Sequence, residues 1–184
     1  MVNDVPENRL ARLHITRSVL IFPHFEDSTA VDQVRSRFDP ACSKIQPHIT
    51  LVFPFSSAFN AQQIRDAVVS CTEGIHPFHL TLRDVVVKDS FLFMLPCEGR
   101  TSVANLFRAL HSGLFAPYLP PVLEQEEFMP HMTIGTCTAE NAQERLAAAR
   151  ASLGEYTAFI DTVSVEIIGD DSRAIIESEI PLRA

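Results

Sequence analysis

The sequence predicts an α+β fold of two lobes, made from one supersecondary unit used twice and related by a pseudo-two-fold around a central cleft. Three observations lead there. Pro47-His48-Ile49-Thr50-Leu51 returns as Pro130-His131-Met132-Thr133-Ile134. The elements around each copy follow the same order: strand, helix, His/Thr strand, helix, hairpin. Ahead of the first copy, Val19-Leu20-Ile21-Phe22-Pro23 is answered ahead of the second by Phe91-Leu92-Phe93-Met94-Leu95-Pro96. Two copies make a duplication, not a solenoid, which would need more repeats.

Residues 1–14 form a polar leader and residues 15–184 the bilobal domain. Ser18 to Pro23 is a β-rich run ended by proline, the first strand. Val31, Val34 and Phe38 fall at helical spacing over Thr29 to Phe38, with Ser28 or Thr29 as cap and Asp39-Pro40 as stop. Pro47 to Pro54 is the first motif strand. Asn60 caps a second helix that runs to Cys71, with Ile64, Ala67, Val68 and Cys71 as its apolar stripe. Phe78 to Val87 and Phe91 to Leu95 form a hairpin turning at Lys88-Asp89-Ser90. Thr101 to Leu114 is the third helix, with Val103, Leu106, Phe107 and Leu110 facing inward. Residues 116–127, proline-rich and then acidic, read as a loop of the length that often covers a site. The second motif strand spans about Phe128 to Thr136, and Ala139 to Leu153 is a helix stopped by Gly154. A last hairpin joins Tyr156–Ile168 to Arg173–Ile180 through residues 169–172.

Side chains alternate across a strand, so residues two apart share a face. His48, Thr50 and Val52 then lie on one face of the first motif strand, with Ile49, Leu51 and Phe53 on the other. The apolar face packs under helices, which leaves the His/Thr face toward an opening. A pseudo-two-fold would bring His48 and His131 to line one cleft. Imidazole has an unperturbed pKa of about 6.5, near working pH, so one ring serves as base and the other as acid. Such positioned groups contribute on the order of 10²–10⁴ in rate. A threonine hydroxyl beside each ring can donate to the non-bridging oxygens of a phosphate.

Composition narrows the field. Hydrophobic residues make up 46% and charged residues 21% of the 184, the balance of a soluble globular protein. The formal charge of −8 argues against long non-specific contact with nucleic acid, whose affinity comes from Lys and Arg neutralising phosphates. It leaves room for a local basic cleft that takes one nucleotide or a strand end. Cys42, Cys71, Cys97 and Cys137 are scattered, with no Cys-x-x-Cys pair and no zinc spacing, and read as buried thiols without disulfides. No apolar h-region or membrane-spanning run occurs, so a cytoplasmic protein is expected.

The pair His48-Ile49-Thr50 and His131-Met132-Thr133, each followed by an apolar residue and set on repeated strand–helix units, resembles the 2H phosphoesterase superfamily. Its 2′-5′ RNA ligase branch, with the bacterial RNA 2′,3′-cyclic phosphodiesterases, is the part most similar, over roughly residues 15–182. The resemblance implies two antiparallel sheets flanked by helices around a central cleft, with no metal or nucleotide cofactor. It implies His48 and His131 as base and acid, in either order, and Thr50 and Thr133 as phosphate ligands. The implied activity is metal-independent hydrolysis of a 2′,3′-cyclic phosphate or 2′-5′-linked RNA, with reversal giving 2′-5′ ligation. The expected partner is a nucleotide or RNA end, without DNA or membrane, and the chain is expected to be a monomer.

Other readings stand beside this one. A lone strand histidine is ordinarily a surface or hydrogen-bonded structural residue; repetition in register is what favours a site. The same fold could serve as a non-catalytic nucleotide or RNA-end binding module. Metal ligation by the histidines is disfavoured, since neither motif has helical i, i+4 spacing or an adjacent carboxylate. His79-Leu80-Thr81 satisfies the three-letter pattern but falls where the second half has Ala158-Phe159-Ile160, so it is read as a solvent-facing strand. His24 is read as a loop residue, and His14, His76 and His111 as surface residues. Arg17, Lys44, Lys88 and Arg100 are candidate cations for a phosphate. Phe22 and Tyr118 are candidate stacking groups, with core or loop packing as the simpler role.

Overall fold

The computed structural model of the chain describes residues 14–183, so the expected leader lies almost wholly outside the described residues. The first unit runs β1 (Ile15–Ile21), α1 (Thr29–Phe38), β2 (Ile49–Ser57), α2 (Ala61–Thr72) and the hairpin β3 (Phe78–Lys88) and β4 (Phe91–Glu98). The second reuses β4 as its first strand and continues with α3 (Arg100–Leu110), β5 (Met132–Thr136), α4 (Ala142–Ser152), β6 (Tyr156–Ile160), β7 (Thr162–Ile168) and β8 (Ala174–Pro181). Two four-stranded antiparallel sheets result, in orders β2-β1-β7-β8 and β5-β4-β3-β6. The α+β duplication with two antiparallel sheets is as the sequence predicts. Among the described residues no helix is long and apolar enough to cross a membrane.

The registers make the duplication explicit. Ile21, Leu20 and Val19 pair with Ile49, Thr50 and Val52. Met94, Phe93 and Leu92 pair with Met132, Thr133 and Gly135. Both ladders shift by one residue immediately after the motif threonine. A bulge puts two consecutive side chains on one side of the strand. Val52 therefore joins Leu51 in the core instead of sharing the face of Thr50, as strict alternation predicted, and Phe53 is only half-buried.

Sequence units and structural lobes do not coincide. α1 packs against β5 and α4, and α3 packs against β2 and α2, so the helix leading into each motif strand supports the other one. The segment expected as one strand, Tyr156 to Ile168, breaks at the exposed Asp161. Its halves enter different sheets, β6 beside β3 and β7 beside β1. Ile160 and Val163 each remain in the core, which the break permits. One contiguous core joins both sheets, from Val19, Ile49 and Leu51 through Leu106 to Leu92, Met132 and Ile134. The edge strands β2 and β5 touch, so the sheets meet along their motif strands. Pro54 is exposed on β2, where an edge strand tolerates a residue without an N–H.

Several boundaries move for local reasons. α2 is capped as expected: Gln63 N–H donates to Asn60 Oδ1 at 2.9 Å and Asn60 N–H to Gln63 Oε1 at 3.0 Å, a capping box. In α1 neither Ser28 nor Thr29 supplies the cap; Thr29 N–H donates to Asp27 Oδ1 at 2.8 Å. α3 stops at Leu110, four residues early, where the His111 Nδ1 turns back to donate to the Phe107 carbonyl at 2.9 Å. α4 starts only after Asn141, whose Oδ1 accepts from Thr138 N–H at 2.8 Å. The 116–127 segment contains two short 3-10 turns, Ala116–Tyr118 and Pro121–Glu124. The four cysteines are free, but only Cys137 is buried and Cys97 is exposed, against the expectation of buried thiols.

Candidate active site

Each motif histidine stands one residue ahead of its strand, after a proline. A residue before proline is held extended, and here that residue is Gln46 or Met129. The carbonyl of Gln46 accepts the His48 Nδ1–H at 2.8 Å, and the carbonyl of Met129 accepts the His131 Nδ1–H at 2.7 Å. A carbonyl can only accept, so both rings carry their proton on Nδ1 and leave Nε2 as the free nitrogen. The proline in each pentapeptide thus helps fix which ring nitrogen is tethered and which is left open.

The burial pattern repeats with the bonds. Ile49 and Leu51, like Met132 and Ile134, are buried, whereas His48, Thr50, His131 and Thr133 are half-buried on the opposite face. Burial pushes the His48 pKa below the ordinary imidazole value, the Gln46 bond opposes this, and the Arg35 guanidinium and a charge on His131 push it further down against Asp39. His131 is also lowered, first by burial and then by Lys88, against its bond to Met129. A proton on His131 is felt at His48, so the two rings lie within electrostatic reach.

The surroundings of the two rings differ. His131 lies against Phe93, ring centroids 3.9 Å apart, and Phe93 stacks on the exposed Phe91 at 5.8 Å. His48 faces Phe22 more loosely, at 6.1 Å. Behind His48, Arg35 and Asp39 form a buried ion pair at 2.8 Å. Arg35 also donates to the Ile45 carbonyl at 2.9 Å, and Asp39 accepts from Ala41 N–H at 2.8 Å. This pair therefore pins the segment that delivers Gln46 and His48. Sequence reading missed it, although an Arg and an Asp four apart at a helix end was the available signal.

The remaining candidates separate cleanly. Arg17 is buried and bound through both its Nε and Nη2 to Glu177 at 2.7 Å, which makes it structural. Lys88 is exposed, acts on His131, and reaches Glu126 of the 116–127 segment at 3.5 Å. That segment is held at its other end by Tyr118, whose ring packs 4.6 Å from Phe55 of β2. Arg100 opens α3 and is exposed. His79 is exposed on β3, paired with Phe159 of β6 on the side away from β5, so it stays outside the motif pair. His14 and His76 are exposed, and His111 is a half-buried helix-end residue, not a surface one. His24 and Lys44 line a cavity of 510 Å³ beside His48. Among the described residues no group of three or more His, Cys, Asp or Glu side chains is placed to hold a metal ion.

Comparison with known proteins gives the family and the fold of the chain. The pattern shared by the 2′-5′ RNA ligase superfamily matches residues 22–169. A Geobacillus thermodenitrificans protein named "putative phosphoesterase" is 29% identical over 126 residues, covering 64% of this chain and 66% of that protein. A Geobacillus kaustophilus protein of the same name is 30% identical over 122 residues with the same coverage. The chain thus spans just under two thirds of the length of these relatives. In structure, the chain is similar to E. coli LigT complexed with ATP, at a TM-score of 0.60 and 13% identity over 93% of this chain and 99% of that one. A crystal structure of a phosphoesterase gives 0.59 and 14% with the same coverage. At these identities the likeness is one of fold.

Proposed function

The chain belongs to the 2′-5′ RNA ligase superfamily, and from that premise we propose that it is a metal-independent phosphodiesterase acting on a 2′,3′-cyclic phosphate or a 2′-5′ linkage. One observation carries this reading. The two histidines occupy equivalent repeat positions and have equivalent Nδ1 tethers, so both present Nε2 from the face that also carries Thr50 and Thr133. A pure binding site has no need of two imidazoles poised in the same tautomer.

The chemistry follows from the atoms. One Nε2 takes a proton from water as its oxygen bonds to phosphorus; the other, protonated, gives its proton to the ribose oxygen that leaves. The Thr50 and Thr133 hydroxyls donate to the non-bridging oxygens, whose charge reorganises as the transition state forms. With the 5′-hydroxyl of a second RNA end attacking the cyclic phosphate in place of water, the base takes that hydroxyl's proton, the acid protonates the departing ribose 3′-oxygen, and a 2′-5′ bond is left. Nucleotide-sized substrates are also in keeping with the structurally similar LigT, which was crystallised with ATP and with 3′-AMP.

The test is a substrate panel in the presence of EDTA: nucleoside 2′,3′-cyclic phosphates, a 2′-5′ dinucleotide and a 3′-5′ dinucleotide. Turnover of the cyclic or 2′-5′ compounds is expected. Tight binding of a cyclic nucleotide with no turnover across a broad pH range would replace this reading with a binding module.

A further inference from the structure

Beside His48 lies a cavity of 510 Å³, within the size range of pockets that enclose small organic ligands. Two of its walls also touch the histidine. Gln46, whose carbonyl holds the His48 ring, lines it, and so does Phe22, which faces that ring. The cavity is lined by residues of β7 and β8 and by the β6–β7 junction. Ala174 N–H donates to the Lys44 carbonyl at 3.1 Å, which ties the preceding segment over β8.

Its lining is unusual for a free surface. Phe159 is 53% exposed and Ile176 45% exposed, and both border this cavity. Large apolar side chains left in water around a concavity mark a place where a ligand completes the surface. The Phe159 ring is held from behind by His79, 5.0 Å away between centroids, which gives the third His-x-Thr pattern a supporting role. The polar lining includes Thr162, Ser164, Ser43, Gln46 and His24, with Asp161 and Glu179 as its acidic residues and Lys44 as its lysine. Two carboxylates against one lysine do not suit another phosphate. They suit an uncharged group rich in N–H and O–H donors with a flat apolar face.

Building on the phosphodiesterase reading, we propose that this cavity is the subsite for the nucleoside next to the scissile phosphate, with its base against Phe159 and Ile176. The subsite takes a terminal nucleoside and disfavours a further phosphate on that side. It is a specificity element on the His48 side, opposite the Phe93–His131 side.

The experiment measures binding of three probes by titration calorimetry: inorganic phosphate, adenosine, and adenosine 3′-monophosphate. Base–aromatic stacking is lost on truncation to alanine with an effect of about tenfold. Phe159→Ala and Ile176→Ala should each weaken adenosine and adenosine 3′-monophosphate about tenfold and leave inorganic phosphate unchanged, with Phe159→Trp restoring affinity. Both side chains are exposed, so neither truncation opens the core. Wild-type protein that binds phosphate but gains nothing from the nucleoside, or Phe159→Ala that binds all three probes like wild type, overturns the subsite and leaves the two-histidine reading intact. Wild-type protein that binds adenosine but not phosphate supports the subsite and overturns the two-histidine reading alone.

Discussion

Gly135 of β5 lies so close to Phe38 at the end of α1 that a Cβ on the glycine would stand 2.6 Å from the Phe38 Cβ. The Phe38 backbone carbon and oxygen would be only 3.2 Å away, and Thr136 Oγ1 already donates to that carbonyl at 3.3 Å. This contact fastens the end of α1, which carries Arg35 and Asp39, onto the strand that carries Thr133. Gly135→Ala must push α1 away. It should cost about 1–3 kcal/mol, as overpacking does, read from the urea midpoint. The folded fraction should also lose activity, because the segment leading to His48 moves with α1.

Thr50→Val and Thr133→Val keep the branched shape and the strand preference but remove a donor. Each should lower kcat by about 10²–10³, the effect of deleting one donor to a developing charge, with the thermal midpoint little changed. Thr81→Val should leave kcat unchanged, since Thr81 bonds Glu98 and Thr157 away from the motif strands. Steady-state kinetics on the three variants separates a phosphate-binding hydroxyl from an ordinary strand residue.

The pH profile has a defined sense. Both histidines are lowered from 6.5, chiefly by burial, so the free protein holds its acid proton only on the acid side of neutrality. The alkaline limb of kcat/KM, which reports the free enzyme, should therefore lie below the ordinary imidazole value of about 6.5. A bound phosphate anion favours a protonated ring, so the limb of kcat should lie at higher pH than that of kcat/KM. Lys88→Met removes a cation that lowers His131 and should move the kcat/KM limb upward. Rate profiles at constant ionic strength check both shifts.

Glu166 pulls stability in the opposite sense to the histidines. It is 3% exposed, takes one hydrogen bond from Ser18, and its Oε2 has no partner among the described residues; burial raises its pKa above 4.5. A folded-state carboxyl with a raised pKa binds more protons than the unfolded one, so stability falls as pH rises through that range. Glu166→Gln should stabilise the protein at pH 7 and make no difference in acid, below the unfolded carboxyl pKa of about 4.3. The lowered histidines do the reverse. Their contribution is present above 6.5 and is lost as pH falls toward their folded values, so His131→Gln should flatten the acid side of the stability curve. Urea unfolding against pH measures both.

The sequence carried the repeat because a His and a Thr two apart must share a strand face, whatever the rest of the chain does. It also carried the buried partners Ile49, Leu51, Met132 and Ile134. It could not carry the bulges after Thr50 and Thr133, since one extra residue in a ladder depends on the partner strand and leaves Val52 looking like a neighbour of Thr50. Nor could it carry the exchange of helices, because helical periodicity says that α1 buries a face but not against which strand. Asp161 is one polar residue in an apolar run, too weak a signal to divide it between two sheets. The cavity beside His48 draws on the residues after β1, the residues before β2, the β6–β7 junction, β7 and β8, which only the fold assembles.

The central claim, that His48 and His131 act together on one phosphorus, is tested most directly by hydrolysis of a nucleoside 2′,3′-cyclic phosphate in EDTA by wild type, His48→Ala, His131→Ala and the double variant. Each single substitution should lower kcat by about 10²–10⁴. The double variant should fall little below the worse single one, as groups that work as a unit do. Equal turnover in wild type and either single variant would contradict the claim.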